Sequence, residues 1–349
     1  MRKLAAISAS FILVFILTLP GCFKRPLLYP EPEAVRTTLF PARVGGVAGK
    51  WGFLDSAGNF VIKPQFDAVG PFSDGLAYIS TANRKWGYID TTGRVVVKPK
   101  FDVVLPFTEG LAGVMVKEKW GYINKKGKFV IPPQFSMAMP FSEGFAQVRV
   151  GGIQSGKWGF IDKKGKYLIK PQFDLLGRFR EGLALFSNLE PRKWGFLDTS
   201  GKVAIRREFD QALEFSFGRA PVMIGDTVTG KWGYIDRTGK FVVEPKFEEA
   251  GMFFQGLARV KEKGKWGYID TTGKYVIEPQ FKHCGNFFEG LAYVKIGEKY
   301  GYIDTTGKIV IEPKFGAVGD FLGALAPVAV EGKGAYINKR GEFVFGPVE

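Results

Sequence analysis

Lys265-Trp266-Gly267-Tyr268-Ile269-Asp270-Thr271-Thr272-Gly273 decides how this chain is read, because the chain keeps repeating it. The phrase recurs around Trp51, Trp86, Trp120, Trp158, Trp194, Trp232 and Trp266, which are all seven tryptophans, at spacings of 35, 34, 38, 36, 38 and 34 residues. An eighth copy carries Tyr300 in the Trp slot. A ninth, Gly334-Ala335-Tyr336-Ile337-Asn338, has lost the ring. A fixed period of this size marks a repeat architecture. No linker interrupts it from about residue 41 to residue 349.

Within one copy the pattern predicts three strands. Leu257-Ala258-Arg259-Val260 is the first, and Lys261 to Gly264 turn the chain. Lys265 to Asp270 is the second, and Lys274 to Glu278 the third, ended by Pro279. All nine copies place Asp or Asn at the turn between the second and third strands, with Gly three residues later, from Asp55 and Gly58 to Asn338 and Gly341. An Asx side chain bonds backbone further along a turn, and Gly supplies positive φ, so this is a type I turn closed by a glycine bulge. One carboxylate per turn is not the alternating set of a calcium loop. Trp and Tyr of the phrase point to one face of the strand and Ile to the other. Triplets such as Phe60-Val61-Ile62 and Val95-Val96-Val97 are apolar throughout, so the sheets are expected to be covered on both faces. The expected fold is therefore all-β: a nine-unit repeat array of three-stranded antiparallel meanders, β-propeller-like, with an open β-repeat superhelix or solenoid as the alternative. Nine units exceed the usual four to eight blades. No terminal strand is left waiting for a partner at the other end.

The N-terminus is of another kind. Arg2 and Lys3 precede an apolar run from Leu4 to Leu19, the pattern of an export signal and short for a spanning helix. Leu19-Pro20-Gly21-Cys22 resembles a bacterial lipobox, with Pro20 unusual in it. Residues 1–21 are expected to be a lipoprotein signal peptide, Cys22 the acylated residue, and residues 22–40 a Pro-rich tether. An ordinary signal peptide and an uncleaved anchor are the alternatives. Phe23 after the cysteine gives no Asp-type inner-membrane retention signal, which favours the outer membrane. The chain is expected to be exported and membrane-anchored, in the outer membrane, periplasm or at the cell surface. The net charge is +15. Such a body meets anionic lipids and polymers at an envelope, and nucleic acid is not the expected partner. Cys284 is the other thiol, so with Cys22 acylated no intramolecular disulfide forms.

Together, Lys-Trp-Gly, the Asp-x-x-Gly turn, Pro-x-Phe and Phe-x-Glu-Gly-Leu-Ala resemble the bacterial WG-repeat family, also called KWG repeats, over residues 41–349. The resemblance implies a β-repeat domain on exported or surface proteins that mediates interactions. It implies no catalytic residue.

In a repeat array the candidate sites are columns. The lysine before the Trp slot recurs as Lys50, Lys85, Lys119, Lys157, Lys193, Lys231, Lys265, Lys299 and Lys333. Nine cations in register could bind a polyanion. Alternatively each stem covers an aromatic ring or pairs with an acid, for which Asp74, Glu109, Glu143, Glu181 and Glu289 form a broken column. The Trp column is expected to be core rather than a sugar platform. Departures from the phrase also locate candidates: the longer loops at 150–156 and 224–230, with Gln154 and Asp226, and Arg206-Arg207 where other copies have Lys-Pro. His283 is the single histidine, so no cluster of histidines can hold a metal, and its neighbour Cys284 is weak ground for a thiol nucleophile. No cofactor, metal or catalytic residue is expected, and the chain is read as not an enzyme. The expected function is a lipid-anchored cell-envelope binding scaffold for a protein, glycan or other polyanion. A passive spacer lipoprotein and, further off, a carboxylate-based glycan hydrolase are the alternatives.

Overall fold

A computed structural model describes residues 39–348 other than 82, 153–154, 190–191 and 227. It contains nine small antiparallel sheets. They are the blades of a nine-bladed β-propeller. Blade 2 serves as the pattern: a two-residue strand Ala68–Val69, a first long strand Leu76–Ser80, a middle strand Trp86–Asp90 and an outer strand Val95–Phe101, hydrogen-bonded in that order. The expected three-strand meander is present in all nine blades. Blades 2 to 9 add an innermost strand, two residues long in six of them and six residues long in blade 5 (Leu175–Arg180) and blade 7 (Glu249–Phe254), and blade 1, Phe40–Val44, Lys50–Leu54 and Phe60–Phe66, has three strands. Outside the sheets the described residues hold one 3-10 turn, Gly46–Ala48.

The glycine of the Trp-Gly pair is required by a bulge in the outer strand that follows. Trp86 pairs with Phe101 and Tyr88 with Val97, so between them one residue of the middle strand, Gly87, faces three of the outer strand. The surplus residues, including Pro99, bulge over the middle strand, and proline is tolerated in a bulge because no ladder donor is needed there. A methyl group on Gly87 would lie 2.3 Å from the Val97 carbonyl oxygen, so only glycine fits beneath. Blade 9 supports this account. There Gly334 pairs with Val348 and Tyr336 with Phe345, a bulge one residue shorter, and Ala335 fills the glycine slot.

Burial divides the outer strand by residue. Ile62, Val97 and Ile131 are buried between blades. Their neighbours Val61 and Val130 are 49% and 41% exposed. The expectation that the apolar triplets are covered on both faces therefore holds only nearer the core. Blades radiate, so neighbouring outer strands diverge at the rim and leave one face open.

Blades are tied to each other by equivalent atoms. The buried Tyr88, Tyr122, Tyr234, Tyr268 and Tyr302 hydroxyls each donate to a carbonyl of the next blade, at Leu105, Met139, Gly251, Gly285 and Gly319, over 2.7–2.8 Å. Each Asp-x-x-Gly turn also packs its glycine on the previous blade's outer strand, as Gly93 does on Ile62 and Gly307 on Ile277. The ring closes with the same devices. Gly58 of blade 1 lies against Val344 of blade 9, and Tyr336 donates to the Pro41 carbonyl at 2.9 Å. Phe60 and Phe345 meet edge to face at 5.6 Å. Among the described residues no sheet combines strands from both ends of the chain, so closure is by side-chain packing and the Tyr336 hydrogen bond rather than by strand pairing.

Candidate binding surfaces

The two ends of each blade carry different chemistry. Leu76 pairs with Asp90 at one end and Ser80 with Trp86 at the other. The Asp-x-x-Gly turns and the acidic column therefore share the turn end. The column lysines and the hairpins of variable length share the loop end.

At the turn end the aspartates are consumed by backbone. Asp270 Oδ1 accepts the N–H groups of Thr272 and Lys274 and the Thr272 hydroxyl. These bonds, the Thr272 hydroxyl first, hold the Asp270 carboxyl below the usual range. The acidic column sits in two-residue hairpins with both residues at positive φ, as at Asp74 (54°) and Gly75 (82°). Asp74 accepts the Gly110 N–H of the next blade at 2.6 Å, Glu143 that of Gly182 at 2.8 Å, and Glu181 that of Gly218 at 2.9 Å. Gln255 keeps the bond, to Gly290 at 2.9 Å, because its amide oxygen still accepts. Phe217 takes the same backbone shape (φ 54°) without that acceptor and is 46% exposed.

This placement separates the two columns that the sequence suggested could pair. The acids face the turn end, and the lysines answer to other carboxylates, each seventeen residues on. Lys50 and Lys85 bond Asp67 and Asp102, while Lys157 and Lys193 bond Asp174 and Asp210 at 2.5 Å. The Lys85 ammonium, with the Lys117 N–H of the next blade's hairpin, holds Asp102 below the usual carboxylate range. These pairs thus fasten a blade to its neighbour's loop. Ser136, Lys282 and Gly316 occupy the partner position for Lys119, Lys265 and Lys299. Glu248 stands there for Lys231 but accepts the Gly264 N–H instead, at 3.1 Å. Among the described residues Lys119, Lys231, Lys265 and Lys299 make no ion pair, and all four are exposed. Lys333 is exposed in blade 9.

Of the other candidates, Asp226 turns inward on its own loop and accepts the N–H groups of Val228 and Thr229 at 2.7 Å. Arg206 is exposed on the outer strand of blade 5. Arg207 is half-buried in the slot that holds Pro171 in blade 4, and its Nη1 is buried with no acceptor among the described residues. Gln154 and Cys22 lie outside the described residues. Trp120, Trp158, Trp232 and Trp266 are at most 9% exposed, as core residues are, and Trp51, Trp86 and Trp194 are half-buried. Arg259 lies over Trp266 with its guanidinium 4.9 Å from the ring. Cys284 is fully buried, and burial pushes its thiol up to about 11, away from nucleophilic use. Among the described residues no three His, Cys, Asp or Glu side chains are grouped to hold a metal.

A sequence profile described as the WG containing repeat matches residues 51–84, 86–120, 120–152, 158–188, 194–227, 232–266, 266–300 and 300–333. The chain belongs to the WG-repeat family. Each WG repeat, counted from Trp to Trp, straddles two blades: it supplies the middle and outer strands of one and the first strands of the next. The last two strands of blade 9, with Gly334 in the Trp slot, complete the ring beyond the last matched repeat. No curated protein matches the chain. Among solved structures it is similar to a eukaryotic initiation factor, at 12% identity and TM-score 0.50, over 79% of this chain and 87% of that one. It is also similar to BamB from Moraxella catarrhalis, at 10% identity and TM-score 0.46, over 87% of this chain and 97% of that one. These likenesses concern the fold.

Sequence reasoning missed the Asp partners of the column lysines, although Pro-x-Phe-Asp was visible at Asp67, Asp102 and Asp174, and Phe-Asp at Asp210. It also passed over the turns of blades 3 and 4, where lysine replaces the threonine of other copies.

Proposed function

We propose that this WG-repeat propeller is a non-enzymatic binding scaffold of the cell envelope, held to a membrane through an acylated Cys22 and engaging a protein or an anionic glycan. One observation carries the binding reading. Lys50, Lys85, Lys157 and Lys193 are paired within the fold, whereas Lys231, Lys265 and Lys299 stand exposed and without an ion pair on three successive blades at the loop end. Exposed ammonium groups that stabilise nothing in the fold are available to a polyanion. A rigid ring holds them in fixed register, so little ordering cost falls on binding.

The anchor is tested by Cys22→Ala, expected to release the protein from membranes and abolish acyl labelling. Unchanged fractionation and labelling refute it. The scaffold is tested by retention of envelope components on the immobilised protein. A triple replacement of Lys231, Lys265 and Lys299 by Thr is expected to weaken binding to an anionic glycan, and wild-type binding should fall with added salt. Salt-independent binding would argue against the lysines as the contact, and no retained partner leaves the passive spacer.

A further inference from the structure

The rim of blades 3 and 4 is decorated unlike the rest. Its two turns are Asn124-Lys125-Lys126-Gly127-Lys128 and Asp162-Lys163-Lys164-Gly165-Lys166, six lysines against one carboxylate. In blades 7 and 8 the same turns read Asp-Thr-Thr-Gly-Lys, one cation against one carboxylate. The fold uses two of the six: Lys125 reaches Asp74 at 2.7 Å and Lys163 reaches Glu109 at 2.9 Å. Lys126, Lys128, Lys164 and Lys166 are exposed, and their ammonium groups have no partner among the described residues. The two turns belong to one surface. A methyl on Gly165 would lie 3.3 Å from the Ile131 side chain, so the second turn packs on the outer strand that leaves the first.

Apolar side chains stand beside these lysines. Phe129, directly after Lys128, is 43% exposed, Val130 is 41% exposed, and Tyr167, directly after Lys166, is 37% exposed. They lie at the start of the outer strands, on the open, convex edge of the propeller. A convex edge offers no groove to enclose a polymer chain. It can rest on a flat anionic surface, with rings and lysine stems at the headgroup level and ammonium groups on the phosphates. We propose that the rim of blades 3 and 4, through Lys126, Lys128, Lys164 and Lys166 with Phe129 and Tyr167, docks on an anionic phospholipid surface. This contact is independent of acylation at Cys22. It sets the propeller on its edge and leaves the loop end free.

The test is co-sedimentation of the full chain with phosphatidylcholine vesicles, with and without phosphatidylglycerol. The variants are Lys126→Thr/Lys128→Thr/Lys164→Thr/Lys166→Thr and, with the same charge change, Lys119→Thr/Lys231→Thr/Lys265→Thr/Lys299→Thr. The N-terminus is common to all three proteins, so differences between them report on the propeller. The phosphatidylglycerol-dependent affinity should fall roughly five-fold per rim lysine, a hundredfold or more in all, and be retained by the loop-end variant. Phe129→Ser/Tyr167→Ser should weaken binding at high salt, where the apolar contribution persists. Equal loss in both lysine variants, no loss in the rim variant, or a preference for soluble polyphosphate over vesicles would overturn the proposal.

Discussion

The turn of blade 7 and the turn of blade 3 share one backbone and differ in what they offer to solvent. In both, the glycine N–H bonds the first residue's carbonyl, Gly273 to Asp270 at 3.0 Å and Gly127 to Asn124 at 2.8 Å. In both, the first side chain accepts two further N–H groups. Blade 7 then adds the Thr272 hydroxyl to Asp270 at 2.6 Å. Blade 3 has Lys126 in that place, whose ammonium has no partner among the described residues. The scaffold thus specifies the first and fourth turn residues and leaves the third open, and there the repeats diverge. Function in a repeat ring is more readily sought at positions the scaffold does not use than at those it repeats.

The comparison breaks most visibly if the shared scaffold is not shared. Gly121→Ala in blade 3 and Gly267→Ala in blade 7 each place a methyl 2.5 Å from a backbone carbonyl oxygen. Each is expected to cost about 3 kcal/mol or unfold the ring, measured by urea denaturation. Tolerance in one blade but not the other would mean the two bulges differ. A smaller effect is expected from Tyr122→Phe and Tyr268→Phe, which each remove a 2.7 Å bond to the next blade. About 1–2 kcal/mol should be lost at either site, because a buried carbonyl loses its donor.

Exchanging the third turn residue sharpens the contrast. Lys126→Thr should leave stability within about 0.5 kcal/mol of wild type. Thr272→Lys should cost up to about 1 kcal/mol through the lost hydroxyl bond. A marked melting change in Lys126→Thr would assign that lysine to the fold. The smallest effect is pH dependence. Asp270 is held below its unfolded value, so its stabilisation is complete above the usual aspartate value of about 3.9 and fades as pH falls through the depressed one. Asn124 does not titrate. Amide protection of Thr272 and Lys274 should therefore weaken in acid relative to that of Lys126 and Lys128, and parallel behaviour would argue against the carboxylate as the cause.

How much was legible follows from the range of each interaction. The turns were readable because an Asx side chain and a glycine three residues later act within one hairpin. The Trp-Gly pair was recognisable as a motif, but its cause was not, since the carbonyl over Gly87 belongs to Val97, beyond the turn in the adjacent strand. The column lysines were found and their partners were not: Asp102 stands at the junction to the next blade and touches Lys85 and the Lys117 N–H together. Cys22 and Gln154 lie outside the described residues, so their roles remain sequence expectations.

By itself the sequence determined that there are nine units, that each is an antiparallel meander, and where each turn falls. These depend on local periodicity and on backbone preferences of Asx, Gly and Pro. Only the tertiary structure decided that the array closes, that a short innermost strand joins eight of the nine blades, and which column faces which end. Closure depends on small rotations summed over all blades, and no single repeat encodes that sum. The contact of Tyr336 with Pro41, 295 residues apart, is where the ring is completed.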